Sequence, residues 1–129
     1  MFSWRSIHKE DYSTLVDWWK WFRFPAPSYE MLSDKGFMIT KNGVDICAGF
    51  LYTTNSSFCF CEYIVSNPDY RENDRSEAIV ELINVIGQNA KELGHTLSFT
   101  FIKNENLINR YLDAGYIKGS ESIEMVKAL

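Results

Sequence analysis

The stretch Phe58-Cys59-Phe60-Cys61-Glu62-Tyr63-Ile64-Val65, running on through Ser66-Asn67-Pro68-Asp69-Tyr70-Arg71-Glu72-Asn73-Asp74-Arg75 to Ser76-Glu77-Ala78-Ile79, decides how the rest of the chain is read. Its first part is aromatic and β-branched. It stops at Asn67-Pro68, where proline removes a backbone donor and holds its predecessor extended, so it reads as a buried strand ending in a turn. Beyond Asp74, the residues Ile79, Leu82, Ile83, Ile86, Ala90 and Leu93 recur at three- and four-residue steps, the stripe of an amphipathic helix lying on a sheet. Asp74 and Glu77 have the spacing of a capping box, which puts the helix start within a residue or two of Asp74. The first turn then aims unpaired N–H groups, with roughly half a positive charge, past the end of the strand. A phosphate suits such a place.

Working outward, Gly94 closes the helical stripe, and Thr96 to Ile102 alternates Leu97, Phe99 and Phe101 with polar residues, so strand, helix and strand form a parallel crossover. A short helix follows from Glu105 to Ala114, with Leu107, Ile108, Tyr111 and Leu112 on it and Gly115 after it. Tyr116 to Lys118 and Ile123 to Val126 flank Gly119-Ser120-Glu121 as a closing hairpin. Upstream, Phe37 to Lys41 and Val44 to Thr53 are strands joined by Asn42-Gly43, a strong two-residue hairpin signal, with Val44, Ile46, Ala48, Phe50 and Tyr52 on one face. Phe2 to Ile7 reads as a first strand, and Asp11 caps a helix whose apolar face is Tyr12, Leu15, Val16, Trp19 and Phe22. Trp18 and Trp21 project away from that face. With the stiff Phe22-Arg23-Phe24-Pro25-Ala26-Pro27 turn they form either a binding surface or a face covered by a second short helix near Tyr29, Met31 and Leu32.

These elements make one α+β domain of 129 residues with a mixed, mostly antiparallel sheet of six to seven strands flanked by helices. A composition of 46% hydrophobic and 16% aromatic residues supports a folded core. No apolar run has the length of a membrane span and Met1-Phe2-Ser3-Trp4-Arg5 has no signal-peptide pattern, so the cytoplasm is the expected compartment. A net charge of −4 disfavours a nucleic-acid partner. Cys47, Cys59 and Cys61 lie within strand patterns without metal-ligand spacing and read as small buried hydrophobes, so no metal site is expected.

Two segments carry a resemblance. Pro68-Asp69-Tyr70-Arg71-Glu72-Asn73-Asp74-Arg75-Ser76-Glu77-Ala78 resembles the pyrophosphate loop of the GNAT acetyltransferases, P-x-Y/F-R-G-x-G-x-G-x-A. Pro68, Tyr70, Arg71 and Ala78 match, while Glu72, Asp74 and Ser76 stand where the glycines would be. Asn104-Glu105-Asn106-Leu107-Ile108-Asn109-Arg110-Tyr111-Leu112-Asp113-Ala114-Gly115-Tyr116 resembles the family segment N-x-x-A-x-x-x-Y-x-x-x-G-F/Y, with Asn104, Tyr111, Gly115 and Tyr116 in register and Leu107 for alanine. The order of elements also resembles the GNAT fold from first strand to last.

The resemblance implies an N-acetyltransferase that moves an acetyl group from acetyl-CoA to a small-molecule or peptide amine, and a possible homodimer. Acyl transfer needs a cradle for the pyrophosphate, a donor to the oxyanion, a proton acceptor and an acid for the thiolate. By resemblance the cradle is the backbone of Arg71, Glu72, Asn73, Asp74, Arg75 and Ser76. Ile64 and Val65 on a bulged, splayed strand hold the pantetheine arm from one side and Asn104 from the other. Tyr111, with a pKa of about 10 against about 8.5 for a thiol, is the candidate acid, unless it is an ordinary core residue. Glu62 is the candidate proton acceptor, its pKa raised by neighbouring rings, unless it is a solvent-facing or ion-paired strand residue. Acidic Glu72 and Asp74, together with the strain that missing glycines bring to a positive-φ turn, keep a catalytically inactive GNAT-fold binding protein open as the alternative. Asp17, Glu30 and Asp34, near the rings of the first helix, would suit a cationic amine.

Overall fold

Asn42 and Gly43 both have positive φ, 52° and 77°, the primed turn that their residue types predict. They join β2 (Gly36–Lys41) to β3 (Val44–Thr53) in the computed structural model, which describes residues 1–129. The remaining strands are β1 (Ser3–Ser6), β4 (Phe58–Ser66) and β5 (Leu97–Phe99). The sheet order is β1-β2-β3-β4-β5, antiparallel throughout except that β4 and β5 run parallel. The helices are α1 (Tyr12–Trp21), α2 (Arg75–Glu92) and α3 (Glu105–Asp113), with single 3-10 turns at Lys9–Asp11 and Tyr29–Met31.

The two faces of the sheet are buried by different helices. Leu82, Ile83, Ile86 and Ala90 of α2, with Tyr111 of α3, pack on Ile39, Cys47, Leu51, Cys59 and Cys61. Leu15, Trp18 and Trp19 of α1 pack on Met38, Ala48, Phe50 and Val65 of the opposite face. The three cysteines are buried and free, filling space between sheet and helices.

Several expectations are corrected. The sheet has five strands rather than six to seven, because the chain after Tyr116 forms no hairpin. Ile117, Ile123, Met125 and Val126 are each at least 85% exposed, so no apolar burial drives that segment onto the sheet. Trp18 is buried rather than projecting outward, since positions 15, 18 and 19 form the inward stripe, whereas Trp21 and Phe22 are exposed. The face read along β3 divides at a register shift opposite Ile39 and Thr40: Val44 is exposed, Ile46 joins the α2 side, and Ala48 and Phe50 join the α1 side. β5 is shorter than its alternation suggests, and Leu97, Phe99 and Phe101 point to a part of the sheet that α1 does not cover. Neither Asp11 nor Asp74 caps its helix with its side chain. The Asp11 carboxylate is held by Arg5 at 2.9 and 3.0 Å, which keeps it below the usual carboxylate range.

Candidate active site

Strand β4 carries the distortion that makes a site. Ala48 pairs with Val65 and Phe50 with Glu62, so the single residue Gly49 faces two, Tyr63 and Ile64. Tyr63 takes φ 58°, a left-handed conformation that costs a non-glycine residue about 1–2 kcal/mol. A Cβ at Gly49 would lie 3.0 Å from both Ile64 Cγ1 and Ile86 Cδ1, so glycine lets the bulge and α2 pack closely there. The neighbouring strand has already ended before the bulge is reached. β4 and β5 pair only from Phe58↔Leu97 to Phe60↔Phe99, and from Cys61 onward the β4 backbone, including Ile64 and Val65, has an unpaired edge.

At the neck of this opening, Glu62 spans the gap. Its Oε1 accepts the Thr100 hydroxyl at 2.6 Å and the Phe101 N–H at 3.2 Å. Its Oε2 makes no bond within the chain and is reachable by solvent. Burial raises the Glu62 pKa, and the two hydrogen bonds oppose that shift. Tyr111 closes the neck from the α2 side. Its hydroxyl donates to the Cys61 carbonyl at 3.1 Å, the first one beyond the paired segment, and the residue is only 4% exposed. Burial pushes its phenol well above the ordinary range.

Between β4 and α2, residues Pro68 to Asp74 bring a set of free backbone donors together. The N–H groups of Arg71, Glu72, Asn73, Ser76 and Glu77 donate no hydrogen bond within the chain. The loop has no positive φ, so the missing glycines leave no backbone strain in it. The Asp74 carboxylate is turned aside, accepting Lys41 Nζ and the Tyr70 hydroxyl at 2.6 Å each, which holds it below the usual carboxylate range. Arg75 donates to Ser66 Oγ at 3.3 Å with its guanidinium 5.7 Å from the Phe22 ring. Arg110 of α3 reaches Ser76 Oγ at 3.1 Å and Asp113 at 3.0 Å. Arg71 and Glu72 are exposed. The result is a rim of arginines around unpaired amides, the chemistry of an oxyanion or phosphate seat.

Asn104 is the N-cap of α3, its Oδ1 accepting the Leu107 N–H at 3.0 Å. Its side-chain amide nitrogen donates no bond within the chain.

Solved structures with a similar fold include N-acetyltransferases. The ribosomal-protein-S18-alanine N-acetyltransferase from Escherichia coli aligns with a TM-score of 0.73 at 16% identity, over 93% of this chain and 80% of that one. AAC(6')-Iy in complex with the bisubstrate analog CoA-S-monomethyl-acetylneamine aligns at 0.68 and 18% identity, over 100% and 99%. N-acetylglutamate synthase from Neisseria gonorrhoeae, complexed with coenzyme A and N-acetyl-glutamate, aligns at 0.72 and 15% identity, over 93% of this chain and 29% of that longer one.

The chain has the GNAT fold.

No family model matches the sequence, and no curated protein matches it. Within the GNAT fold of this chain, Glu62 bonds Thr100 and Phe101 while Tyr111 bonds Cys61, with no hydrogen bond between the two, and Arg71 to Ser76 line the start of α2. Asp17, Glu30 and Asp34 are exposed, and none is among the groups that shift Glu62. Sequence reasoning missed Lys41, Thr100 and Arg110. Lys41 and Thr100 act only through long-range contacts, which no local pattern marks. Arg110 was legible in principle, lying beside Tyr111 on a helix that packs on α2.

Proposed function

We propose that this protein is an N-acetyltransferase using acetyl-CoA, with the diphosphate held by the free amides and arginines at the start of α2 and the amine acceptor beside Glu62. The observation that carries the reading is the conjunction of a bulged, unpaired β4 edge with a strain-free loop in which the Asp74 carboxylate is paired with Lys41 and Glu72 is exposed to solvent. Bound acetyl-CoA would supply an acyl carbon that forms a C–N bond with the amine, itself freed by loss of one proton from the ammonium, as the C–S bond breaks. The second amine proton goes to the thiolate, giving amide, thiol and the one ammonium proton.

Each residue then has a task that its position allows. Arg71, Glu72, Asn73 and Ser76 supply free main-chain donors, the Arg75 N–H being used by the Glu72 carbonyl and the Asp74 carboxylate by Lys41, and the side chains of Arg71, Arg75 and Arg110 add charge. Ile64 and Val65 offer the open edge to an extended polar arm in the manner of an added strand. Asn104 offers its amide N–H from the other side, its carbonyl being committed to α3. Glu62 Oε2 takes the proton from the ammonium, while Thr100 and Phe101 keep the carboxylate aimed.

Tyr111 admits two roles. As an acid it protonates the thiolate; as a strut it satisfies the Cys61 carbonyl. Burial and a raised pKa favour the strut. A screen of primary amines by thiol release tests the whole reading: turnover of at least one amine is expected, with Glu62→Gln slower by roughly 10²- to 10⁴-fold. No thiol release from any amine, despite coenzyme binding, would favour the inactive binding protein instead.

A further inference from the structure

The surroundings of Glu62 define a receptor for a particular kind of acceptor, an inference that rests on the acyl-transfer reading for its reaction but not for its binding. Oε1 is fixed by Thr100 and Phe101, and Oε2 is free. None of the five ion pairs in the structure involves Glu62, and no cation is among the groups that shift it. The charged or titratable neighbours facing it are Glu124, from the exposed carboxy-terminal segment, and the Tyr52 phenol. This is an unpaired carboxylate whose one charged neighbour is another acid.

Rings surround it. Phe60, two residues back on the same face of β4, packs at 6.0 Å from Phe101 and 6.2 Å from Phe99. Tyr63 follows Glu62 directly and packs at 6.1 Å from Tyr52 and 6.4 Å from Trp19. Phe101 is 62% exposed, so its ring is not used up by the core. Ring faces next to a carboxylate attract an ammonium group and add contact area for an aryl group beside it. They do not attract a carboxylate, which Glu62 and Glu124 would repel. A long polycation would find one anchored acid and apolar rings rather than a row of acids.

We propose that Glu62, Phe60, Phe101, Tyr63 and Tyr52 form the acceptor subsite for a primary ammonium carried on an aromatic body without a carboxylate, the ammonium on Glu62 Oε2 and the aryl group against Phe60 and Phe101. The probe is phenethylamine, titrated calorimetrically into the full chain, with phenylalanine and 1,4-diaminobutane as comparisons and coenzyme A titrated separately. Phenethylamine should bind at least tenfold more tightly than either comparison. Glu62→Gln should weaken it by at least tenfold and Phe101→Ala by about fivefold, with circular dichroism and the coenzyme titration unchanged in both variants. Equal binding of phenylalanine or 1,4-diaminobutane, or unchanged phenethylamine binding by Glu62→Gln, overturns the proposal. The two readings fail separately: phenethylamine binding that depends on Glu62 without any heat from coenzyme A leaves the receptor and removes the transferase. Coenzyme binding with no phenethylamine binding does the reverse.

Discussion

Glu62 is held in a half-buried place that raises its pKa, and this sets a sign for stability as well as for chemistry. Below the ordinary carboxylate range both folded and unfolded chains are protonated there, and burial of the neutral acid costs little. As pH rises through that range and then through the raised native value, the folded state must ionise in a partly desolvated site, and stability is lost. A glutamine keeps an oxygen for Thr100 and Phe101 and never ionises. Glu62→Gln should therefore unfold at a higher Tm than the parent at pH 7.5 and at the same Tm near pH 4, measured by calorimetric melting. A gain that is equal at both values would show that ionisation is not its cause. Tyr111→Phe tests the neighbouring residue. Leaving the buried Cys61 carbonyl without a donor should cost about 1–3 kcal/mol in denaturant unfolding, with turnover per folded molecule unchanged. Undiminished stability with slowed turnover would restore Tyr111 as the acid.

Among the elements, β4 with its bulge and α2 with its bare first turn belong to one device. Gly49 shows how they are joined, because its missing side chain leaves room for Ile64 on the bulge and Ile86 on the helix. Gly49→Ala should destabilise the chain by about 1–3 kcal/mol through overpacking, read from the urea midpoint, and an effect under 0.5 kcal/mol would mean that the bulge adapts freely. Much of this device was legible: the strand end at Asn67-Pro68, the start of α2 after Asp74 and the apolar stripe of α2 as far as Ala90 follow from local rules that the structure keeps, whereas Leu93 is exposed at the helix end. What was not legible depended on contacts between distant residues. Asp74 has the identity and spacing of a cap, yet Lys41 on β2 and Tyr70 take both oxygens of its carboxylate, an ion pair and a phenol bond in place of a bond to one amide. Likewise the missing glycines suggested strain, but the loop reaches α2 without using positive φ at all. The single left-handed residue of the site is Tyr63, inside a strand, where no composition rule would place it.

For the molecule as a whole, cations gather at one end of the opening in the sheet and unpaired acid with rings at the other. Arg71, Arg75, Arg110 and Lys41 surround the start of α2, and Glu62 with Glu124 lies at the neck. On the proposed reading, this polarity rather than the net charge of −4 selects partners. No helix is long and apolar enough to cross a membrane. The closing hairpin shows the limit of periodicity on this scale: Ile123, Met125 and Val126 have strand-like residue types, but a strand needs a covered face, and β5 offers an uncovered one. Removing residues 117–129 should accordingly leave Tm within about 2 °C of the parent, whereas a large drop would reveal that the segment docks after all. The most direct measurement of the central claim is calorimetric titration of acetyl-CoA into the full chain at low and raised salt. Saturable binding of one coenzyme per chain, weakening as salt rises and weakened further by Arg71→Ala, is the predicted result; the absence of heat and of any Tm shift at millimolar coenzyme would contradict it.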